Sequence, residues 1–293
     1  MIKKSACGRD GGKYMPRKLF CQLGPWAYWL SLRKEWLLRA LRELFSGKRF
    51  ASVRSGTPLP CIAADYRSLV RRPLPGVDPA LQENKAVNVR LACERLDGLL
   101  VRPGETFSFW RLIGRPTAKK GYLDGLVISQ GRPGRGIGGG LCMLANAVNL
   151  LVLHSPLTVT ERHHHTDALF PDVGRRVPFG TGTSVFYNNV DYQFRNDLDQ
   201  TVQLCVWQNE GDLCAELRAE RPFPCRYRLT EEGLHYEREG ADWYRVSEVY
   251  RTSTDRTTGA QRRELMLKNH SKVLYAFDPE NAGAPVVQKG ERG

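Results

Sequence analysis

The residues best suited to chemistry are one cysteine and a run of histidines downstream of it. Cys142 follows Gly138-Gly139-Gly140-Leu141 and opens an apolar segment in which Leu144, Val148 and Leu151 recur at the i, i+4, i+7 spacing of a buried helical face. The glycines supply backbone conformations closed to other residues, so Cys142 is expected in the first turn of a helix. There the unpaired N–H groups and partial positive charge lower a thiol pKa toward thiolate. Glu161-Arg162-His163-His164-His165-Thr166 then brings a base. The chemistry implied is thiolate attack on a carbonyl, with histidine moving the proton and the loop amides of Gly138, Gly139 and Gly140 stabilising the oxyanion. Arg162 and His163, beside the base, are expected with these glycines at the substrate. The alternative is that Cys142 is a small buried hydrophobe and the glycines an ordinary tight loop.

Two further constellations bear on this site. In extended structure His163 and His165 face one way and His164 the other, so a His-x-His face with Cys142 suits Zn²⁺. These adjacent histidines lack the spaced ligands of a zinc signature, and no metal is assigned. Asp191 is a candidate third member orienting the histidine, as an acid does in hydrolase triads; its other reading is a turn cap. The glycine-rich loop from Gly131 to Gly140 has neither a P-loop ending nor Rossmann spacing, which excludes nucleotide binding and leaves no cofactor implied.

The elements that must position these residues follow from pattern and punctuation. Asp78 is an N-cap with Pro79 at the first helical position, and Val87, Leu91 and Leu96 run toward Gly98. Asn84, Lys85 and Asn88 on that helix either face a site or form a solvated side. Leu99–Val101 is a short strand, Arg102–Glu105 a turn, and Thr106–Phe109 extended. Leu157–Thr160 is a strand bearing the histidines at its end. From Ser184 onward the pattern is strand-like, at Val185–Tyr187, Tyr192–Phe194, Val202–Trp207 and Leu213–Leu217, with a hairpin turn at Asn209–Asp212. Strands at Trp243–Arg251 and Arg262–Leu267 complete a mostly antiparallel half. The expected class is α+β: N-terminal helices, then a mixed core with a largely antiparallel β half. The expected divisions are a basic, Trp-rich helical segment over 1–60, an α+β domain over 61–275, and a disordered tail over 276–293. Within these, 47–77 reads as an irregular connector carrying Pro58, Pro60, Pro73 and Pro75.

The run from Arg102 to Asn196 resembles the VanW family, in its short form, named from vancomycin-resistance gene clusters. The matching residues are Pro103-Gly104-Glu105-Thr106-Phe107-Ser108-Phe109, Gly114 with Pro116-Thr117, Gly121-Tyr122, Gly138 to Cys142, Glu161-Arg162 with His165, and Asp191 through Asn196. The family's histidine corresponds to His165. Met143 stands where the family usually has glutamine, Ala145 where it has serine, and the aspartate expected near Gly182-Thr183-Ser184 is missing. The resemblance implies a cell-wall, glycopeptide-resistance setting and leaves two functions open. One is a Cys142/His165-dependent acyl transferase or amidase acting on a peptide or amide. The other is a non-catalytic accessory protein that binds membrane or an anionic cell-wall precursor.

Charge favours acidic partners. The 293 residues carry 44 Lys or Arg against 31 Asp or Glu, a formal +13, which suits an anionic membrane surface or a phosphorylated cell-wall precursor. No helix-turn-helix, zinc-finger or RNA-binding signature occurs, so dedicated nucleic-acid binding is not expected. The eight cysteines include no Cys-x-x-Cys pair, and no signal-peptide or eighteen-residue apolar run is seen. The expectation is a cytoplasmic protein with reduced thiols, peripheral at the inner face of the membrane if it meets one. A helix over residues 26–45, rich in Trp and Leu on one side, either docks on the core or lies on that membrane.

Overall fold

A proline that fixes the backbone angle of the first turn starts each of the two longest described helices. The computed structural model describes residues 19–71, 78–129, 132–164, 167–168, 171 and 177–288, and the chain divides into two units, Met1–Ser46 and Gly47–Gly293. In the first unit the described residues form a 3-10 turn and α1 (Pro25–Leu44). The second begins with β1 (Arg49–Phe50), β2 (Cys61–Leu69), α2 (Pro79–Leu96), β3 (Leu99–Val101), β4 (Glu105–Ser108) and α3 (Phe109–Ile113). It continues with β5 (Asp124–Ser129), β6 (Arg132–Ile137), α4 (Cys142–Leu153), β7 (Thr158–Glu161), β8 (Asp167–Ala168) and β9 (Gln193–Arg195). The last strands are β10 (Val202–Gln208), β11 (Asp212–Ala219), β12 (Cys225–Glu239), β13 (Asp242–Asp255), β14 (Gln261–Val273) and β15 (Val286–Gln288).

The strands form sheets in the orders β1-β4-β9-β7, β2-β11-β10-β3 and β15-β12-β13-β14-β8, with β5-β6 as a separate hairpin. Pairing is antiparallel except where β1 joins β4, β8 joins β14 and β15 joins β12. The class is therefore α+β with largely antiparallel sheets. Helix α2 lies against β10 and β5, and α4 against β11 and β2. Leu144, Val148 and Leu151, the stripe expected to face inward, are fully buried in one cluster with Val89, Leu96, Phe107 and Phe194. Phe107 and Phe194 stack with ring centroids 4.8 Å apart. A smaller cluster, with Phe179, Tyr236 and Val273 at its centre, forms beside the long strands.

Several local expectations are corrected. The 47–77 connector contains β1 and the nine-residue β2, whose partner β11 supplies the ladder that its proline-flanked, non-alternating sequence does not advertise. Val185–Tyr187 is no strand: Phe186 and Val190 close a turn that takes Asn188 to φ 51. The extended run ends at Ser108, whose hydroxyl accepts from Arg111 N and caps α3. The tail from 276 holds a 3-10 turn and β15. Strand β12, too polar to alternate visibly, is 15 residues long.

Candidate functional site

Cys142 is the first residue of α4, where the glycine-led spacing puts it. The turn before it needs glycine for two physical reasons. Gly138 and Gly140 have φ of 78 and 93, a region that disfavours side chains. A Cβ on Gly139 would also lie 2.2 Å from the Gly125 carbonyl carbon, so the backbones of the turn and the β5–β6 hairpin touch. Asn88 fastens both: its Nδ2 donates to Leu123 O and Gly139 O at 3.0 and 2.9 Å, and its Oδ1 accepts from Leu123 N at 2.8 Å. Asn84 Nδ2 donates to Asp124 O at 2.7 Å. The polar side of α2 thus holds the glycine turn. Two of the three expected oxyanion donors are engaged by the fold, since Gly138 N donates to Leu123 O and Gly139 N to Gly136 O, each at 3.0 Å.

The thiol environment reverses the expected direction. Cys142 is half-buried, its Sγ lies 3.7 Å from Val185 O, and burial pushes the thiol above its ordinary value while backbone groups of Val185 and Cys142 act the other way. A helix start favours thiolate, but a dry setting favours the neutral thiol, and here the second effect is larger. Asn146 and Asn149 continue the same helical face at i+4 and i+7 from Cys142. Thr183 N donates to Asn146 Oδ1 at 2.6 Å, and Asn149 Nδ2 to Thr181 O at 2.5 Å. Residues 179–185 therefore form a strap along the Cys142 face of α4. Its far end is held by the long strands: Phe179 N donates to Glu231 Oε2 at 3.0 Å, and Asn269 Nδ2 to Phe179 O at 3.1 Å. The Arg245 guanidinium covers the Phe179 ring at 4.3 Å and pairs with Glu231 at 2.6 Å. Sequence reasoning missed Asn146 and Asn149, although two amide side chains in step with Cys142 on an otherwise apolar helix were the available signal.

The histidine segment lies along the same strap. His163 N donates to Thr183 Oγ1 at 3.4 Å, and Ser184 N to His163 O at 2.7 Å. The exposed His163 ring sits 3.0 Å from Glu161 Oε1, and the same oxygen accepts from Asp191 N at 3.1 Å. His164 places Nδ1 3.1 Å from Gly180 O, and its Nε2 faces Arg162 Nη2 at 3.0 Å. His165, the expected base, lies outside the described residues. Asp191 is fully buried and takes up the capping alternative: it accepts from Ser108 Oγ at 2.6 Å, Trp110 N at 3.0 Å and Gln193 Nε2 at 3.0 Å, holding the start of α3. Arg162 is half-buried, and burial pulls its guanidinium below the ordinary value, with the nearby Tyr192 hydroxyl acting the other way. Arg162 has no carboxylate partner among the described residues. Tyr192 is fully buried, and its hydroxyl has no hydrogen-bond partner there either. Among the described residues the three-ligand group with metal-binding spacing is Glu237, Glu239 and His270, which does not include Cys142.

Residues 84–218 match the family model described as VanW like protein. Over 238 residues the chain is 30% identical to vancomycin B-type resistance protein VanW of Enterococcus faecalis (strain ATCC 700802 / V583), covering 81% of this chain and 86% of that one. The chain belongs to the VanW family. Uncharacterized protein YoaR of Bacillus subtilis (strain 168) is 27% identical over 146 residues, 50% of this chain and 46% of YoaR. No solved structure matches. The VanW-matched span runs from Asn84 in α2 to Arg218 in β11, so it includes the glycine turn, Cys142, the strap and Asp191, while α1 and the strands β12–β15 fall outside it.

Proposed function

We propose that this VanW-family protein serves a glycopeptide-resistance setting as an accessory protein that binds a phosphorylated cell-wall precursor, with Arg162 as the anion contact. The carrying observation is a half-buried guanidinium without a carboxylate partner among the described residues, near a buried tyrosine hydroxyl that also lacks one. A partly desolvated arginine presents a forked donor set that phosphate matches well, and a charge-assisted contact of this kind contributes about 1.5–3 kcal/mol. The raised thiol of Cys142 and the capping role of Asp191 favour binding over thiol catalysis.

Calorimetric titration with UDP-N-acetylmuramyl pentapeptide tests this. Arg162→Gln is expected to weaken binding about tenfold or more, the equivalent of one charge-assisted contact. Equal affinity in the variant, or no binding by the parent chain, would overturn the proposal. The second reading, a cysteine-dependent acyl transferase or amidase, is favoured by the place of Cys142 at the first residue of α4 after the glycine turn. Turnover of the same compound that Cys142→Ser abolishes while binding persists would establish that reading instead.

A further inference from the structure

The exposure of α1 runs against its hydropathy. Arg39 is 8% exposed, whereas Trp26, Trp29, Leu37 and Leu44 are 63%, 56%, 61% and 74% exposed. At about 100° per residue, Trp26, Leu30, Leu37, Leu41 and Leu44 fall within about 60° of one another, so they make one stripe open to solvent. Two polar side chains elsewhere on the helix bond locally: Ser31 Oγ donates to Ala27 O at 2.8 Å, and Arg39 Nε pairs with Glu43 at 2.9 Å. Scattered exposed apolar residues need no explanation, but a continuous stripe marks a surface that something covers.

We infer that α1 is an interfacial helix that binds the surface of an anionic phospholipid bilayer. Aromatic residues choose lipid first: Trp26 on the stripe and Trp29 beside it are exposed together at the start of the helix, and amphipathic rings of this kind settle at headgroup depth. Cations border the stripe. Arg33 and Lys34 lie on either side of it, and the Arg33 guanidinium sits 4.9 Å from the Trp29 ring centroid and 5.1 Å from that of Trp36, so its stem follows apolar surface while its charge reaches the headgroups. The sequence over residues 1–46 holds ten Lys or Arg against three Asp or Glu, a net +7 of the chain's +13, the sign an anionic leaflet attracts. A second copy of the chain fits less well. Leu30, Leu37 and Leu44 have heptad spacing, but Arg33 and Lys34 occupy the intervening seam where a coiled coil needs an apolar residue. The helix lies on the surface, because no described helix is long and apolar enough to cross a membrane.

The test uses the full chain and is independent of the Arg162 reading. Co-sedimentation with vesicles of phosphatidylglycerol and phosphatidylcholine is expected at low salt, with little binding to phosphatidylcholine alone and a loss of about tenfold at high salt. The double variant Trp26→Ala/Trp29→Ala is expected to weaken vesicle binding about tenfold with unchanged circular dichroism, since both side chains are exposed. Arg162→Gln is expected to bind vesicles as the parent does. Failure of the parent chain to sediment with anionic vesicles, or equal binding by the tryptophan variant, would overturn the inference. A dimer in sedimentation velocity that Leu37→Glu dissolves, without vesicle binding, would assign the stripe to a second copy and overturn it as well.

Discussion

Helices α1 and α4 assign opposite environments to the same kinds of side chain. In α4 every residue from Ala147 to Leu153 is buried, the amide of Asn149 included, and the strap backbone supplies partners for both asparagines. In α1 leucines and tryptophans meet water while an arginine is among the least exposed residues. A buried polar group is tolerated when the fold supplies its hydrogen bonds, so the asparagines of α4 are internal structure. An exposed apolar stripe has no such internal explanation. Polarity alone therefore misplaces α1 and the asparagines of α4, and the distribution of partners distinguishes the two cases.

The sharpest way to break this comparison is to make one change on each helix. Leu144→Ala empties a fully buried site and is expected to cost about 3 kcal/mol, read as a lower urea midpoint. Leu37→Ala, on a side chain 61% exposed, is expected to stay within about 0.5 kcal/mol of the parent. Equal losses would mean that α1 is packed as tightly as α4. A step smaller, Asn146→Ala and Asn149→Ala should each destabilise by about 1–3 kcal/mol, because Thr183 N and Thr181 O lose buried partners. Since both hold one strap, the double variant should cost less than the two losses added. Strict additivity in a double-mutant cycle would show that the strap is not a unit.

The smallest effect concerns the thiols. Burial raises Cys142 and pushes Cys93 up to about 12. A thiol whose native value lies above its unfolded value of roughly 8.5 holds its proton longer in the folded chain. Its contribution is whole below that unfolded value and is lost as pH rises toward the native one. Stability should therefore decline on the alkaline side, and Cys142 should alkylate more slowly than a free thiol at neutral pH. Rapid modification of native Cys142 at pH 7 would show a thiolate and return weight to catalysis.

Much of the frame was legible in residue types and spacing. Asp78-Pro79 marked the start of α2, the i, i+4, i+7 residues Leu144, Val148 and Leu151 of α4 marked its buried side, and Asn209–Asp212 closed the hairpin of β10 and β11. Cys142 was placed at a helix start because glycine and periodicity are local signals. What escaped was non-local. Strands β2 and β12 take their identity from neighbours across the sheet, and the carbonyl that meets the thiol, Val185 O, lies more than forty positions away. The glycines suggested free amides, yet Gly139 sits there because its backbone closely approaches Gly125, and Gly138 and Gly140 because their φ is positive. Asp191 carried two readings in sequence, and its capping contacts with Ser108 and Trp110 come from residues about eighty positions away.

The strap has one consequence for how the second unit comes apart. It is bonded to α4 through Asn146 and Asn149, and to the long strands through Glu231 and Asn269. A segment that loops elsewhere would open alone must here break bonds to two hydrophobic clusters before its amides meet solvent. Its hydrogen exchange is then expected to follow global unfolding rather than surface fraying, although the stretch has almost no regular structure of its own.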